Sequence, residues 1–228
     1  MKVIYLGHSA LLLETGSHTL IIDPFLSGND LAPVKPEEVK PDFILLTHGH
    51  EDHVGDTEAI ARANGSTIIA NFEIASYFGE KGLTTHGMYI GGQCTFPFGR
   101  VKMTIAHHGS SLGTPEGRVP MGNPAGLLIT AGGKTVYHAG DTGLFLDMQL
   151  IGQLDAIDLA VLPIGDNFTM GPEDALKALE FLRPKAVLPV HYNTWPPIAA
   201  DGDAFCREAE KQGIKGHALK PGEALEII

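Results

Sequence analysis

Phe43-Ile44-Leu45-Leu46-Thr47-His48-Gly49-His50-Glu51-Asp52-His53 decides the reading of this chain. The first four residues are an apolar run of strand length, and positions 48–53 then hold three imidazoles and the Asp52 carboxylate. A strand that ends in such a cluster carries borderline-soft nitrogen ligands and a hard oxygen ligand to the rim of a sheet. That mixture suits zinc, manganese or iron. Imidazoles crowded together without a cation repel one another when protonated and lack partners when neutral and buried.

Outward from that segment, the pattern alternates between strands and helices. Short strands are predicted over 2–6, 10–14 and 18–22, and Asp23-Pro24 ends the third because proline supplies no ladder donor. Pro33, Pro36 and Pro41 punctuate an irregular connection to the strand at 43–46. A helix over 54–63 closes at Asn64-Gly65, followed by a strand at 67–70, a helix at 71–80 and short strands and turns through Gly82–Gly99. After a strand at 100–106, strands at 126–131 and 134–138 flank the Gly132-Gly133 turn signal. A helix near 145–153, a strand at 158–163, a helix at 172–182, a strand at 185–190, a helix at 203–212 and a strand at 224–227 complete the series. Leu176, Leu179 and Leu182 lie on one stripe of the 172–182 helix, which opens with Pro172 and acids at its positive end.

No linker or low-complexity segment divides the two sets of strands. An α/β chain forming a single domain over 1–228 is therefore expected, with two sheets packed face to face, helices outside, and halves of about 1–124 and 125–228. The Gly-, Ser- and Pro-rich connection 107–124 is the expected active-site loop. The Asp166-Asn167-Phe168-Thr169 turn and Tyr192 to Trp195 are expected to line the pocket with it. Arg118 is a candidate for holding an anion, against the ordinary reading of a solvated loop arginine.

The 228 residues carry 27 acidic and 16 basic side chains, for a formal charge of −11. The basic residues are scattered singly, which argues against nucleic acid as a partner because such binding draws on clustered Lys and Arg. Cys94 and Cys206 stand far apart in no paired pattern and read as small apolar residues in a reducing compartment. The opening Met1-Lys2-Val3-Ile4-Tyr5-Leu6 is too short for the apolar stretch of a signal peptide, and no segment approaches membrane-spanning length. A cytoplasmic protein with no membrane partner is expected.

Four more features sit at strand ends: Gly7-His8-Ser9, His107-His108-Gly109-Ser110, His138-Ala139-Gly140-Asp141-Thr142 and Pro189-Val190-His191-Tyr192-Asn193. Together with T-H-x-H-x-D-H at 47–53, their order resembles the metallo-β-lactamase superfamily along essentially the whole chain. Within it, Gly7-His8-Ser9, Asp23-Pro24-Phe25, the Pro163–Pro172 stretch and Pro189–Asn193 resemble the metal-dependent hydrolases close to the ascorbate-phosphate lactonases. The resemblance implies a four-layer αββα sandwich with two mixed sheets. It implies two divalent metal ions, with zinc favoured and manganese or iron compatible. His48, His50 and a histidine of the third motif would hold one ion, Asp52, His53 and His191 the other, and Asp141 would bridge them. The third-motif ligand is His107 or His108, which an extended chain points to opposite sides; the His-Gly-Ser sequence of relatives favours His108.

The resemblance further implies that His8 lies at the rim of the metals and binds substrate or shuttles a proton. The competing reading is a strand-end histidine bonded to backbone. Asp23 is a candidate acceptor for a ligand's second N–H, or else an Asx-type cap before Pro24. His138 is read as bracing its loop, and His18, His86 and His217 as surface or structural residues. Two divalent ions roughly 3.5–4 Å apart can share one hydroxide and clamp attacking and leaving oxygens. A hydrolase of a small ester, lactone or phosphoester is therefore expected, with Asp52 or a water managing protons and a homo-oligomer by analogy only. A metal-dependent phosphodiesterase or nuclease and a non-catalytic metal sensor or scaffold are the alternatives. Antibiotic-hydrolysing members carry cysteine or lack a bridging acid at the fourth motif, so Asp141 points to the general hydrolase branch.

Overall fold

The early strands are apolar on both faces, and the structure buries both. A computed structural model describes residues 1–227, and Ile228, the last position of the expected domain, lies outside the described residues. β1 (Lys2–Tyr5), β2 (Leu11–Glu14) and β3 (Thr19–Ile22) form an antiparallel meander. Leu11 and Leu13 point to one side and Leu12 to the other, while Leu20 and Ile22 diverge from Ile21 in the same way. This is the two-residue period of a pleated strand.

β4 (Phe43–Leu45) then pairs parallel to β3 and leads through α1 (Glu51–Val54) and α2 (Thr57–Asn64) to β5 (Thr67–Asn71). The expected continuous helix over 54–63 is two helices, the first starting inside the histidine cluster. Gly55 separates them with a φ of 41°, and a Cβ there would lie 2.4 Å from the Pro24 carbonyl oxygen. α3 (Phe72–Glu80), capped by the Asn71 side chain, leads to the parallel edge strand β6 (Thr85–Met88).

The second sheet begins with β7 (Gln93–Phe96) and β8 (Gly99–Ile105). Next comes a separate two-stranded hairpin of β9 (Ser111–Thr114) and β10 (Gly117–Pro120). The expected loop at 107–124 is thus largely this hairpin, turning at Pro115-Glu116, where proline presets the backbone of the turn. β11 (Ala125–Ala131), β12 (Lys134–His138), α4 (Met148–Leu154), β13 (Leu159–Pro163), α5 (Pro172–Leu182) and β14 (Ala186–Val190) follow. The chain ends through α6 (Gly202–Lys211), β15 (Lys215–Gly216) and β16 (Ala224–Glu226).

The sheets run β16-β1-β2-β3-β4-β5-β6 and β15-β14-β13-β12-β11-β8-β7, both mixed. β16 crosses back to pair with β1, and the chain changes sheets between Met88 and Gln93. The second sheet therefore begins before residue 124, because β7 and β8 already belong to it.

Leu11, Leu13, Ile22 and Leu45 of one sheet meet Val101, Leu127, Val161 and Leu188 of the other in a shared core. Ile21, Ile44 and Ile68 pack beneath α2 and α3, and Leu128, Leu162 and Val187 beneath α4 to α6. The result is the four-layer αββα sandwich with helices outside. Because each sheet is covered on both faces, its inner strands read as continuous apolar runs. Among the described residues no helix is long and apolar enough to cross a membrane. Cys94 and Cys206 are free thiols, the first half-buried and the second buried.

Candidate metal centre

Strand ends from both sheets meet at one edge of the sandwich. β4 runs into Thr47-His48-Gly49-His50, where Gly49 is required: a Cβ would sit 2.2 Å from the Met121 side chain. His50 is the extended residue before α1, so Asp52 and His53 enter on that helix's first turn. The ends of β8, β12 and β14 bring His108, Asp141 and His191, and the ends of β1 and β3 bring His8 and Asp23. His8, Asp23 and His191 leave their strands with φ of 54°, 46° and 54°. Such left-handed backbone costs on the order of 1–3 kcal/mol per residue and persists where surrounding bonds fix it. Here the His191 amide donates to the His8 carbonyl (2.8 Å) and the Asp23 amide to the Leu45 carbonyl (3.0 Å).

Two groups of ligand atoms result. His48, His50 and His108 each present a ring nitrogen within 4.8 Å of the others, and Asp52, His53 and His191 do the same together with His8. Asp141 lies between the groups. Its Oδ2 is 3.0 Å from His191 Nε2, 3.6 Å from His108 Nε2 and 4.0 Å from His48 Nε2, and its Oδ1 is 3.3 Å from His53 Nε2. His53 Nε2 and Asp141 Oδ1 are buried without a hydrogen-bond partner. A buried polar atom left so costs about 1–3 kcal/mol, which a cation between the two would offset. The donor set therefore fits divalent metal: imidazole nitrogens and carboxylate oxygens, aimed at common points.

A second layer sets which nitrogen His48 and His53 present. Asp23 accepts from the Thr47 amide (2.9 Å), the Thr47 hydroxyl (2.6 Å) and His53 Nδ1 (2.7 Å). Having donated its proton to Asp23, the Thr47 hydroxyl accepts from His48 Nδ1 at 3.0 Å. Both rings thereby carry their proton on Nδ1 and direct the Nε2 lone pair inward. A third potential grouping, Asp23 with His48 and His53, is this outer layer, its carboxylate already engaged. His138 donates from Nε2 to the Ser9 carbonyl and accepts the Gly140 amide at Nδ1, each at 3.1 Å, so it braces the loop that carries Asp141.

Burial opposes charge throughout. At His53 the carboxylates of Asp141 and Asp23 outweigh it and hold the pKa well above the ordinary histidine value. Against the same burial, Asp141 and Asp52 push His191 up to about 9. Burial, reinforced by the His53 charge, pushes His48 well below its ordinary value, and burial lowers His50 and His108. Despite burial, His53 and His191 hold the Asp141 carboxyl well below the usual carboxylate range. Bonds from His191 and His8 do the same for Asp52. The centre thus favours positive charge around Asp141, whether protons or a divalent cation carry it.

His8 stands inside the centre and Tyr192 outside it. His8 stands beside Asp52, His53 and His191 and is fully buried, with Nε2 3.1 Å from Asp52 Oδ2 and Nδ1 2.8 Å from the Thr194 hydroxyl. Burial pushes its pKa down to about 4, so the neutral ring donates to Asp52 and accepts from Thr194. Tyr192 turns away from the centre and lines a separate cleft with Asp201 and Lys220. The two histidines of the third motif have different surroundings. The His107 ring stacks on Phe145 at 5.0 Å and its amide donates to the Thr142 hydroxyl, while His108 faces Asp141.

A cleft of about 730 Å³ opens over the centre, lined by His50, Asp52, His108, Asp141 and His191 beneath Phe25, Ser111, Arg118, Phe168 and Trp195. Sequence reasoning assigned no hydrogen-bonding role to Thr47 or to Thr194, which was expected only to line the pocket. Thr47 belongs to the quoted motif, but its part depends on Asp23, 24 residues away; that of Thr194 depends on His8, 186 residues away.

The β-lactamase superfamily domain matches residues 18–192 of this chain. The chain is 56% identical over 229 residues to the UPF0173 metal-dependent hydrolase YtkL of Bacillus subtilis, covering 100% of both chains. It is 57% identical, again over 100% of both, to a UPF0173 metal-dependent hydrolase of Bacillus velezensis. The structure of Igni18, a metallo hydrolase from Ignicoccus hospitalis, superimposes with a TM-score of 0.91 at 40% identity, covering 98% of this chain and 97% of that one. The chain belongs to the β-lactamase superfamily, as a member of its UPF0173 metal-dependent hydrolase family.

Proposed function

We propose that this enzyme holds two divalent metal ions and hydrolyses a small ester, lactone or phosphoester. His48, His50 and His108 would hold one ion, Asp52, His53 and His191 the other, and Asp141 both. Zinc suits this donor set first, with manganese or iron also compatible. The observation that carries the reading is Asp141, whose two oxygens lie 3.0–4.0 Å from ring nitrogens drawn from both ligand groups. Bound there, the cations would supply Lewis acidity and lower the pKa of water to about 7.

The chain's own groups do the rest. Asp23 fixes the tautomers of His48 (through Thr47) and His53. Asp52 lines the cleft, and it or a water takes the proton released as water attacks. His8 is a positioning residue in this scheme, since its Nε2–H anchors Asp52 from below. Arg118 is the one Lys or Arg among the residues lining the cleft, which favours a small substrate over nucleic acid. The two free thiols accord with a reducing, cytoplasmic setting.

Element-resolved analysis of the purified protein is expected to find two equivalents of divalent metal. Exhaustive chelation should abolish hydrolysis across a panel of esters, lactones and phosphodiesters, and zinc or manganese should restore it. Turnover that survives chelation refutes the proposal. Bound metal with no turnover of any compound favours the sensor instead.

A further inference from the structure

The cleft has two unlike walls. On the side of His8 and His191, the Trp195 ring lies 5.0 Å from His8 and 6.2 Å from Phe25, which is itself 5.7 Å from His8. Phe168 joins them along the lining, and Trp195 and Phe168 are 37% and 54% exposed. Large aromatic faces left open inside a cleft offer apolar area that a planar group would cover.

The opposite wall is the β9–β10 hairpin, which stands over His50 and His108. Glu51 accepts the Gly113 amide at 2.8 Å and meets Arg118 Nη2 at 3.4 Å, while Arg118 Nη1 donates to the Ser111 hydroxyl at 3.1 Å. This ion pair is longer than a strong charge-assisted bond, and both side chains are more than half exposed. Such a pair contributes little. The guanidinium is therefore held in place yet able to exchange Glu51 for a bidentate anion.

We propose that the substrate is an ester joining a planar apolar group to an anionic group. Its ring lies against Phe25, Trp195 and Phe168, its carboxylate or phosphate on Arg118, and its scissile bond between them above Asp141. This specificity rests on the hydrolase reading above. Hydrolysis breaks the acyl C–O bond: the water oxygen goes to the acyl carbon, and one of its protons to the departing alkoxide. One fragment leaves with the ring and the other with the anion.

Trp195 is the single tryptophan of the chain, so its fluorescence reports occupancy directly. The probes are N-phenylacetylglycine, an amide that retains both groups, and its two halves, phenylacetamide and N-acetylglycine, titrated into the metal-loaded enzyme. N-phenylacetylglycine should bind at least tenfold more tightly than either half. Arg118→Gln should erase its advantage over phenylacetamide, and Phe168→Ala its advantage over N-acetylglycine, with metal content unchanged in both. Equal binding of the three probes, absence of binding, or variants that keep both preferences would overturn the proposal. Hydrolysis of O-phenylacetylglycolate is measured beside these titrations. Turnover of many esters without probe discrimination overturns the specificity and leaves the hydrolase intact. Discrimination without ester turnover overturns the hydrolase reading and the substrate with it.

Discussion

Replacing Asp23 by asparagine tests whether the outer layer governs the metals. One oxygen of Asp23 receives the Thr47 amide, and the other receives both the Thr47 hydroxyl and His53 Nδ1. All three partners donate, so an amide fails in either orientation. With its oxygen toward His53, its NH2 faces the Thr47 N–H. Turned the other way, it reverses the His53 tautomer and puts a proton on Nε2. The carboxylate is held anionic: His53 outweighs burial and lowers its pKa, and the amide removes that charge.

One buried donor left unpaired and one charge-assisted bond weakened give about 2–4 kcal/mol of lost stability in the metal-free protein. Second-layer partners of this kind are worth about 10–100-fold in metal affinity, or about 1.4–2.7 kcal/mol. Denaturant unfolding measures the first, and competition against a chromophoric chelator the second. Asp158→Asn is the control. Asp158 accepts the Thr135 amide at 2.8 Å and Lys185 Nζ at 2.7 Å, at the end of β12 away from His138. It should cost stability without changing metal affinity. An unchanged affinity in Asp23→Asn, or an equal loss in the control, would refute the reasoning.

His108→Ala should lose about one equivalent of metal and His107→Ala none, because only the former faces Asp141; elemental analysis of both variants decides. His8→Gln should lower kcat about 10–100-fold with little change in KM, as expected of a buried group that orients another; an equal fall in kcat and rise in KM would instead place it against the substrate. Cys206, buried and with its thiol pushed up to about 11 by burial and Asp203, should resist an aromatic disulfide reagent at pH 8 in the native protein. A raised pKa leaves the unreactive thiol dominant until pH nears that value, so labelling should quicken as pH climbs or the chain unfolds. Fast release of two equivalents at pH 8 would contradict this.

Much of the architecture could be read from local pattern. The runs at 43–46, 126–131 and 158–163 are apolar at nearly every position, as strands covered on both faces must be. The helix over 172–182 announced itself through Pro172 and its leucine stripe. Misreadings fell where a distant contact overrode local preference. Gly55 looked harmless within helix formers, yet the approach of Pro24 forces its break. The change of sheet near residue 90 is marked only by Gly91-Gly92, which signals a turn but not which sheet the next strand joins.

At the centre, the gathering of His and Asp side chains was legible because imidazoles and carboxylates recur at strand ends. Direction was not. His8 carries the same residue type as the candidate ligands, and spacing does not show that its two ring nitrogens meet Asp52 and Thr194. His107 and His108 could not be separated by spacing, because their difference lies in Phe145 on one side and Asp141 on the other.

The donors are divided between the layers: His48, His50, Asp52 and His53 follow β4 of one sheet, whereas His108, Asp141 and His191 follow β8, β12 and β14 of its companion. Cations shared among them would act as rivets through the seam. A ligand that binds only the native form stabilises it by about 2.7 kcal/mol at a hundredfold excess over Kd. Starved of metal, the molecule would then lose grip between its two slabs as well as its chemistry, and proteases would find it sooner.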